Sequence, residues 1–198
     1  MVHASERERP DVKSKRETWQ NMMPSIESAQ LVFLDECGVN TDLARRYGRA
    51  ISAERVVDHV PLNTPKTTTI ISSIRIGAAT VSTTFEGAIN GDRFREYLKD
   101  YLAPTLKPGD WVVMDTLASH KVDGVADIIR KAKAIPIYLP PYSPDFNPIE
   151  LMWSKIKSYL RKLRLRSVAD LIAAIPVAFA QIQSSDCVGW FAHCGYSC

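Results

Sequence analysis

Two short apolar segments, each ending in an acidic residue, stand out in the hydrophobic pattern of the chain. Leu31–Asp35 (LVFLD) and Trp111–Asp115 (WVVMD) have the length and composition of buried strands. Between them, Thr67–Ile76 and Ala79–Phe85 are rich in Thr, Ile and Val and are separated by a glycine, which predicts a β-hairpin. Ile135–Leu139 predicts one more strand, so the pattern indicates a sheet of five strands.

Apolar residues at helical spacing predict the helices that cover this sheet. We expect helices over residues 11–22, 91–102, 121–132, 148–163 and 168–183, the last kinked at Pro176. Residues 140–148 hold four of the twelve prolines, which predicts a stiff loop without regular structure. The order of strands and helices predicts an α/β fold with a mixed, partly parallel sheet flanked by helices.

Composition adds little until the charge is divided along the chain. The 198 residues are 45% hydrophobic and 24% charged, which fits one globular domain and excludes bulk disorder, collagen and a small disulfide scaffold. The net charge of +3 is too small to indicate a nucleic-acid binder. Residues 151–166, however, carry six basic residues and no acid. This basic segment is either a solvated helix face or a surface for a phosphate backbone.

Three acids occupy positions where a site can form. If the strands ending in Asp35 and Asp115 are parallel neighbours, both side chains emerge at one edge of the sheet, where open α/β sheets bind ligands. The helix that starts near Glu150 can bring a third carboxylate there. Such a cluster suits Mg²⁺, which prefers oxygen ligands. Two ions about 3.5–4 Å apart can activate a water or a DNA 3′-hydroxyl for phosphoryl transfer.

Each acid also has a purely structural interpretation. An acid after a strand is often a turn residue or a helix cap, which applies to Asp35 and Asp115. Asn147-Pro148-Ile149-Glu150 resembles a capping box, with Asn as N-cap and Glu at the third helical position. The two interpretations of Glu150 are compatible, because a helix N-terminus favours the ionised carboxylate that a metal requires.

The segment Tyr138–Lys155 (YLPPYSPDFNPIELMWSK) resembles the catalytic signature of mariner-like DDE transposases, in particular their bacterial insertion-sequence branch. The block Phe33–Glu36 (FLDE), the segment Met114–Lys121 (MDTLASHK) and the basic turn Ala44–Arg49 are similar to further motifs of that family. Thirty-four residues separate Asp115 from Glu150, a spacing typical of this superfamily. The resemblance covers roughly residues 30–196.

The resemblance implies a ribonuclease H-like fold and metal-dependent DNA cleavage and strand transfer. It assigns Asp35, Asp115 and Glu150 as catalytic residues and ligands of Mg²⁺, for which Mn²⁺ can substitute, with two ions expected. Residues 30–198 are then the DDE catalytic domain, and residues 1–29 are a lead-in too short for a helix-turn-helix domain. The implied partners are transposon-end and target DNA, a second copy of the chain, and a helix-turn-helix segment from a separate subunit or reading frame.

The remaining candidates are expected to lie beside the acids or to contact the DNA. The residues expected to lie next to the acids without binding the metal are Glu36, Thr116, His120 and Asn147. Glu36 points to the opposite face from Asp35 if the strand continues. Thr116 stands where the family usually has Asn, and His120 either assists proton transfer or is a hydrogen-bonding loop residue. The expected DNA contacts are Arg45, Arg46, Arg49, Lys121, Lys155, Lys157 and Arg161.

Several classes of function stay open from the sequence. The leading interpretation is a transposase catalytic domain. The alternatives are a catalytically silent regulator that binds DNA or dimerises, and a ribonuclease H-like nuclease with another substrate. The four cysteines are expected to be reduced thiols, the start of the chain lacks the apolar segment of a signal peptide, and the longest apolar stretch is too short to cross a membrane. We therefore expect a cytoplasmic protein without a membrane partner, and the resemblance to the bacterial insertion-sequence branch implies a bacterial, nucleoid-associated one.

Overall fold

A computed structural model describes residues 4–45, 47–51, 54–57, 59 and 67–197 of the chain. In this part of the chain five strands form one sheet: β1 Leu31–Val39, β2 Thr68–Arg75, β3 Ala78–Glu86, β4 Trp111–Met114 and β5 Ile135–Tyr138. Their order is β3-β2-β1-β4-β5. The pairs β1–β2 and β2–β3 are antiparallel, whereas β1–β4 and β4–β5 are parallel. The prediction of a mixed five-stranded sheet is confirmed.

Within the described ranges, six α-helices flank the sheet: α1 Pro10–Met22, α2 Gly91–Tyr97, α3 Val125–Lys131, α4 Pro148–Leu163, α5 Val168–Phe179 and α6 Ser184–His193. The predicted bounds of the helix over 148–163 are confirmed. The predicted start of the helix at Lys121 is wrong, because Gly124 adopts a left-handed conformation and residues 118–121 form a separate 3-10 turn. The predicted helix over 168–183 begins at Val168 as expected but ends at Phe179, four residues earlier than predicted. Reciprocal capping between Gln183 and Asp186 then starts α6, which was not predicted.

The two faces of the sheet carry separate cores because side chains alternate along β1. Phe33 and Cys37 point toward α4, α5 and α6, while Val32 and Leu34 pack against residues of α2 and α3. The apolar stripe of α4 is buried against the first face, as its spacing predicted. The central strands are therefore covered on both sides, which is usual for parallel strands.

The register of the two central strands sets the position of the acids. Leu31 pairs with Trp111 and Phe33 with Val113 in the parallel β1–β4 ladder. Asp35 and Asp115 are each two residues further along their strands, so they lie level at the carboxyl edge of the sheet. The loop from β5 then leads to Glu150 at the start of α4.

The loop before α4 is held by both ends of the chain. From α1, the buried Arg16 guanidinium donates hydrogen bonds to Ser143 Oγ (2.6 Å) and to both carboxylate oxygens of Asp145 (3.0 and 2.7 Å). Its Cζ also lies 4.1 Å from the centre of the Phe146 ring. From the segment after α6, the Tyr196 hydroxyl donates to the Phe146 carbonyl oxygen (2.6 Å). We call these contacts the loop clamp.

Among the described residues, no single helix has the length and apolar character needed to cross a membrane. Helices α5 and α6 reach that length and composition only as a pair, and they are bent by 83° relative to each other.

We expect Arg16→Met to lower the free energy of unfolding by about 2 kcal/mol. Removal of one partner of a buried ion pair costs about 3–5 kcal/mol, and the cost is smaller here because 31% of the Asp145 side chain is exposed. Methionine retains an apolar stem beside Phe146, so the loss reports on the charge and its hydrogen bonds. Urea denaturation followed by circular dichroism measures the change. Arg9→Met is the matched control, because Arg9 pairs with Asp11 at the surface and its loss should leave the free energy of unfolding nearly unchanged.

Candidate active site

Asp35 is the buried acid of the site. Its residue is only 7% exposed, and its carboxylate accepts hydrogen bonds from the Trp153 indole (3.2 Å) and the Glu36 backbone amide (2.8 Å). Burial raises the pKa of Asp35 to about 8, and the charges of Glu150, Glu36 and Asp115 add to the shift. Asp35 therefore lies within electrostatic range of the other two candidate acids.

Asp115 and Glu150 line a common cavity of about 180 Å³. Asp115 follows β4 and accepts a hydrogen bond from the Leu117 amide (3.0 Å), while Glu150 occupies the first turn of α4. Displacement of water by neighbouring atoms raises the pKa of Glu150; Lys157 opposes this shift and Asp115 adds to it. The pKa of Asp115 is lowered, because hydrogen bonds from His120 and the Leu117 amide outweigh the effect of burial.

A buried histidine joins Asp115 to Glu36. His120 Nδ1 lies 2.6 Å from Asp115 Oδ1, and its Nε2 lies 2.6 Å from Glu36 Oε2. The imidazole is fully buried and stacks on Phe94, with ring centres 4.4 Å apart. Burial alone would lower the pKa of His120, but hydrogen bonds to the two carboxylates raise it to about 10. The ring is therefore an imidazolium that donates to both acids and fixes the orientation of Asp115.

The residues expected to lie next to the acids without binding the metal have different surroundings. Glu36 lies on the opposite face from Asp35, as predicted, and accepts hydrogen bonds from His120 and from Ser119 (3.3 Å). Thr116 lines the cavity of the acids. Asn147 is the residue before α4, but its side chain makes no capping hydrogen bond, so the predicted capping box is wrong. Its Oδ1 atom is buried without a hydrogen-bond partner, and the residue lines the cavity of the acids.

The expected DNA-contacting residues fall into three groups. Lys121 and Lys157 lie close enough to the site to influence the pKa values of Asp115 and Glu150, respectively. Lys155 faces the other side of α4, where it pairs with Asp186, so it does not join the acids. Three more residues have no described contact with the acids: Arg161 is half-buried on α4, and Arg45 and Arg49 are exposed in a segment without regular structure. Arg46 lies outside the described residues.

Trp153 is a site residue that was not among the candidates from the sequence. It is buried in the core and also donates its indole N–H to Asp35. Its position one turn after Glu150 on α4 is the signal that could have indicated this role, because residues three apart share a helix face.

The residues of the site fit a hard divalent cation. The negative charges of Glu150 and Asp115 raise the pKa of Asp35, and the charge of Asp115 also raises the pKa of Glu150. A bound cation would relieve this repulsion between the carboxylates. In the arrangement of the described residues, no three His, Cys, Asp or Glu side chains are already spaced to hold an ion. Binding would therefore require side-chain adjustment and the loss of a proton.

The fold and this arrangement of acids define a ribonuclease H-like domain. The family model for the DDE superfamily endonuclease matches residues 30–172, and the chain belongs to this family. Comparison with curated protein sequences gives no match.

Solved structures of Mos1 transposase share the fold. The complex of Mos1 mariner paired ends with Mn matches 96% of this chain and 60% of that one, with 15% identity and a TM-score of 0.80. The paired-end complex with the left transposon end gives the same coverage, 14% identity and a TM-score of 0.79. The isolated Mos1 catalytic domain is matched over 91% of its length, with 14% identity and a TM-score of 0.68. The chain thus spans about 60% of the length of the Mos1 chains in the complexes.

We expect the apparent affinity for Mn²⁺ to increase as the pH rises toward about 8 and then to level off. The reason is that a proton on Asp35 competes with the ion until the pH passes the raised pKa of that acid. Without metal, the free energy of unfolding should fall between about pH 4 and pH 8, because the folded state binds more protons than the unfolded state in this range. Isothermal titration with Mn²⁺ at several pH values tests the first effect. A pH-independent affinity in the native protein, or the same pH dependence in Asp35→Asn, would contradict the expectation.

We expect His120→Gln to weaken Mn²⁺ binding by about 10–100-fold, the range found when partners of metal ligands are removed. Glutamine cannot donate to Glu36 and Asp115 at the same time, so Asp115 loses its fixed orientation. Glu36→Gln should have a smaller effect in the same direction, because it leaves the Asp115 contact in place. Near-UV circular dichroism of each variant controls for loss of folding, and His193→Gln on α6 is the matched substitution remote from the acids.

Proposed function

We propose that the chain is a transposase catalytic domain that cleaves DNA and joins the resulting 3′-hydroxyl to target DNA. The observation that carries the proposal is geometric: the parallel β1–β4 register puts Asp35 and Asp115 level at the carboxyl edge of the sheet, and Asp115 and Glu150 line one cavity there. Such convergence of acids from β1, β4 and α4 is costly to the fold and fits a site that binds cations. Membership of the DDE superfamily endonuclease family supports DNA as the substrate.

In this proposal Asp35, Asp115 and Glu150 would hold two Mg²⁺ ions, with Mn²⁺ as a substitute. When bound, the ions would supply an activated water or 3′-hydroxyl and stabilisation of the leaving oxygen. The chain itself contributes orientation: Trp153 holds one oxygen of Asp35, and the His120 imidazolium holds Asp115. Lys121 and Lys157 place positive charge next to the acids, where the phosphate backbone of DNA would lie.

The wider biological setting is also part of the proposal. The motifs resemble the bacterial insertion-sequence branch, for which we infer a cytoplasmic, nucleoid-associated protein. Two of the Mos1 structures are paired-end complexes, one of them with the left transposon end, which supports transposon-end DNA as a partner here. We propose residues 30–198 as the catalytic domain, a homodimer as the working unit, and a separately encoded helix-turn-helix segment for recognition of the ends.

A second candidate is a catalytically silent regulator that binds DNA or dimerises with an active transposase. This candidate predicts DNA binding without metal-dependent cleavage.

Cleavage assays separate the two candidates. Purified protein should nick DNA carrying the inverted repeats that flank its gene, in the presence of Mg²⁺ or Mn²⁺ and not in EDTA. Asp115→Asn and Glu150→Gln should each lower the nicking rate by at least 1,000-fold, about 4 kcal/mol of transition-state stabilisation, while DNA binding is retained. Asp127→Asn is the matched control, because this exposed acid of α3 pairs with Arg130 away from the site. Activity that survives both acid substitutions would overturn the transposase assignment, and binding without any cleavage would favour the regulator.

A further inference from the structure

A second cavity continues the cavity of the acids. It has a volume of about 450 Å³ and lies between α1 and the segment formed by β5 and the start of the proline loop. The two cavities share four lining residues, Thr116, Leu139, Pro140 and Pro141. The two cavities are therefore adjacent, and the second extends from the neighbourhood of Asp115 and Glu150 toward α1. We call this pair of adjacent cavities the α1 groove.

The lining of the α1 groove combines an apolar floor with a basic rim. The indole of Trp19 and the side chains of Met22 and Ile137 contribute apolar surface. Lys15 from α1 and Lys121 from the turn after β4 are exposed at the rim, and neither forms an ion pair with another described residue. An apolar floor with unpaired cations beside it matches a nucleotide, which has a flat base and a charged phosphate.

The inner end of the groove offers an acceptor and an aromatic ring. Asn147 is 4% exposed and lines the cavity of the acids, and its Oδ1 atom has no hydrogen-bond partner. A buried acceptor without a donor costs free energy, so a ligand N–H at this position would be favourable. Tyr142 lines the same cavity with 45% of its surface exposed, which leaves its ring available for stacking.

We propose that the α1 groove binds an unpaired stretch of DNA strand, the nucleotides next to the phosphate held at the acids. This inference rests on the proposed function, because it takes DNA as the substrate. A volume of about 450 Å³ falls in the range of pockets for molecules the size of a nucleotide, about 300–1,000 Å³. The strand is unpaired because an apolar floor can contact the face of a base only after that base has left its stack, and Asn147 can reach its edge only after pairing is lost.

Binding of a fluorescent single-stranded oligonucleotide in EDTA tests the inference without any catalysis. Lys15→Gln combined with Lys121→Gln should weaken binding at least tenfold at low salt. It should also make the slope of log K against log salt shallower by about 1.4, because each phosphate contact on a single strand contributes about 0.7. Thr18→Trp, which fills the groove from α1, should weaken single-strand binding at least tenfold and change duplex binding less than twofold. Lys13→Gln on the same helix is the matched control, because Lys13 pairs with Glu8 and does not line the groove.

The outcomes separate this inference from the proposed function. Unchanged single-strand binding in both groove variants would overturn the inference even if the native protein cleaves DNA. Equal weakening of single-strand and duplex binding by Thr18→Trp would also overturn it, since the groove would then not discriminate unpaired bases. Selective loss of single-strand binding in variants with native thermal unfolding would support it. If such selective loss occurs in a protein that never nicks DNA, the proposed function fails and the binding groove remains.

Discussion

The parallel pairing of β1 with β4 is the constraint on which the site depends. The pairing of Phe33 with Val113 sets how far each strand extends and which face of the sheet its side chains point to. As a result, Asp35 and Asp115 follow at the same edge of the sheet. A slip of one residue in β1 would exchange Asp35 with Glu36 and would turn the apolar residues of each core toward the wrong helices. Packing of the apolar cores on the two faces therefore maintains the positions of the acids, although few of the core side chains contact the acids themselves.

The fold compensates its two sheet-edge acids unequally. Asp115 receives an imidazolium and a backbone amide, which keep it ionised. Asp35 receives an indole and one amide, which do not offset its burial and the repulsion of its neighbours. The negative charge of Asp35 is therefore not fully compensated by groups of the protein. This asymmetry is physically reasonable in a site whose missing charge comes from outside the protein, and it distinguishes the site from a closed structural ion pair such as Arg75–Asp110.

Much of the fold could be predicted because its signals are local. The strand that begins at Leu31, the hairpin around Gly77 and the helix after the proline loop follow from periodicity and turn residues. The contacts that assemble the site could not be predicted, because they join distant positions: Glu36 lies 84 residues before His120, and Arg16 lies 129 before Asp145. The end of α5 and the whole of α6 were missed, because the break between them depends on the reciprocal capping of Gln183 and Asp186, which the apolar pattern does not show. The roles of the three acids stay predictions, since their placement is observed and their chemistry is not.

The loop clamp has a consequence for how this domain can be dissected. The family match runs from residue 30 to residue 172, yet the loop before Glu150 is held by Arg16 on one side and Tyr196 on the other. A shortened protein cut at the borders of the match would keep every candidate acid and lose both restraints on the loop. The third carboxylate would then depend on the proline loop alone. The smallest unit that preserves the geometry is set by these two contacts, and sequence similarity alone underestimates it.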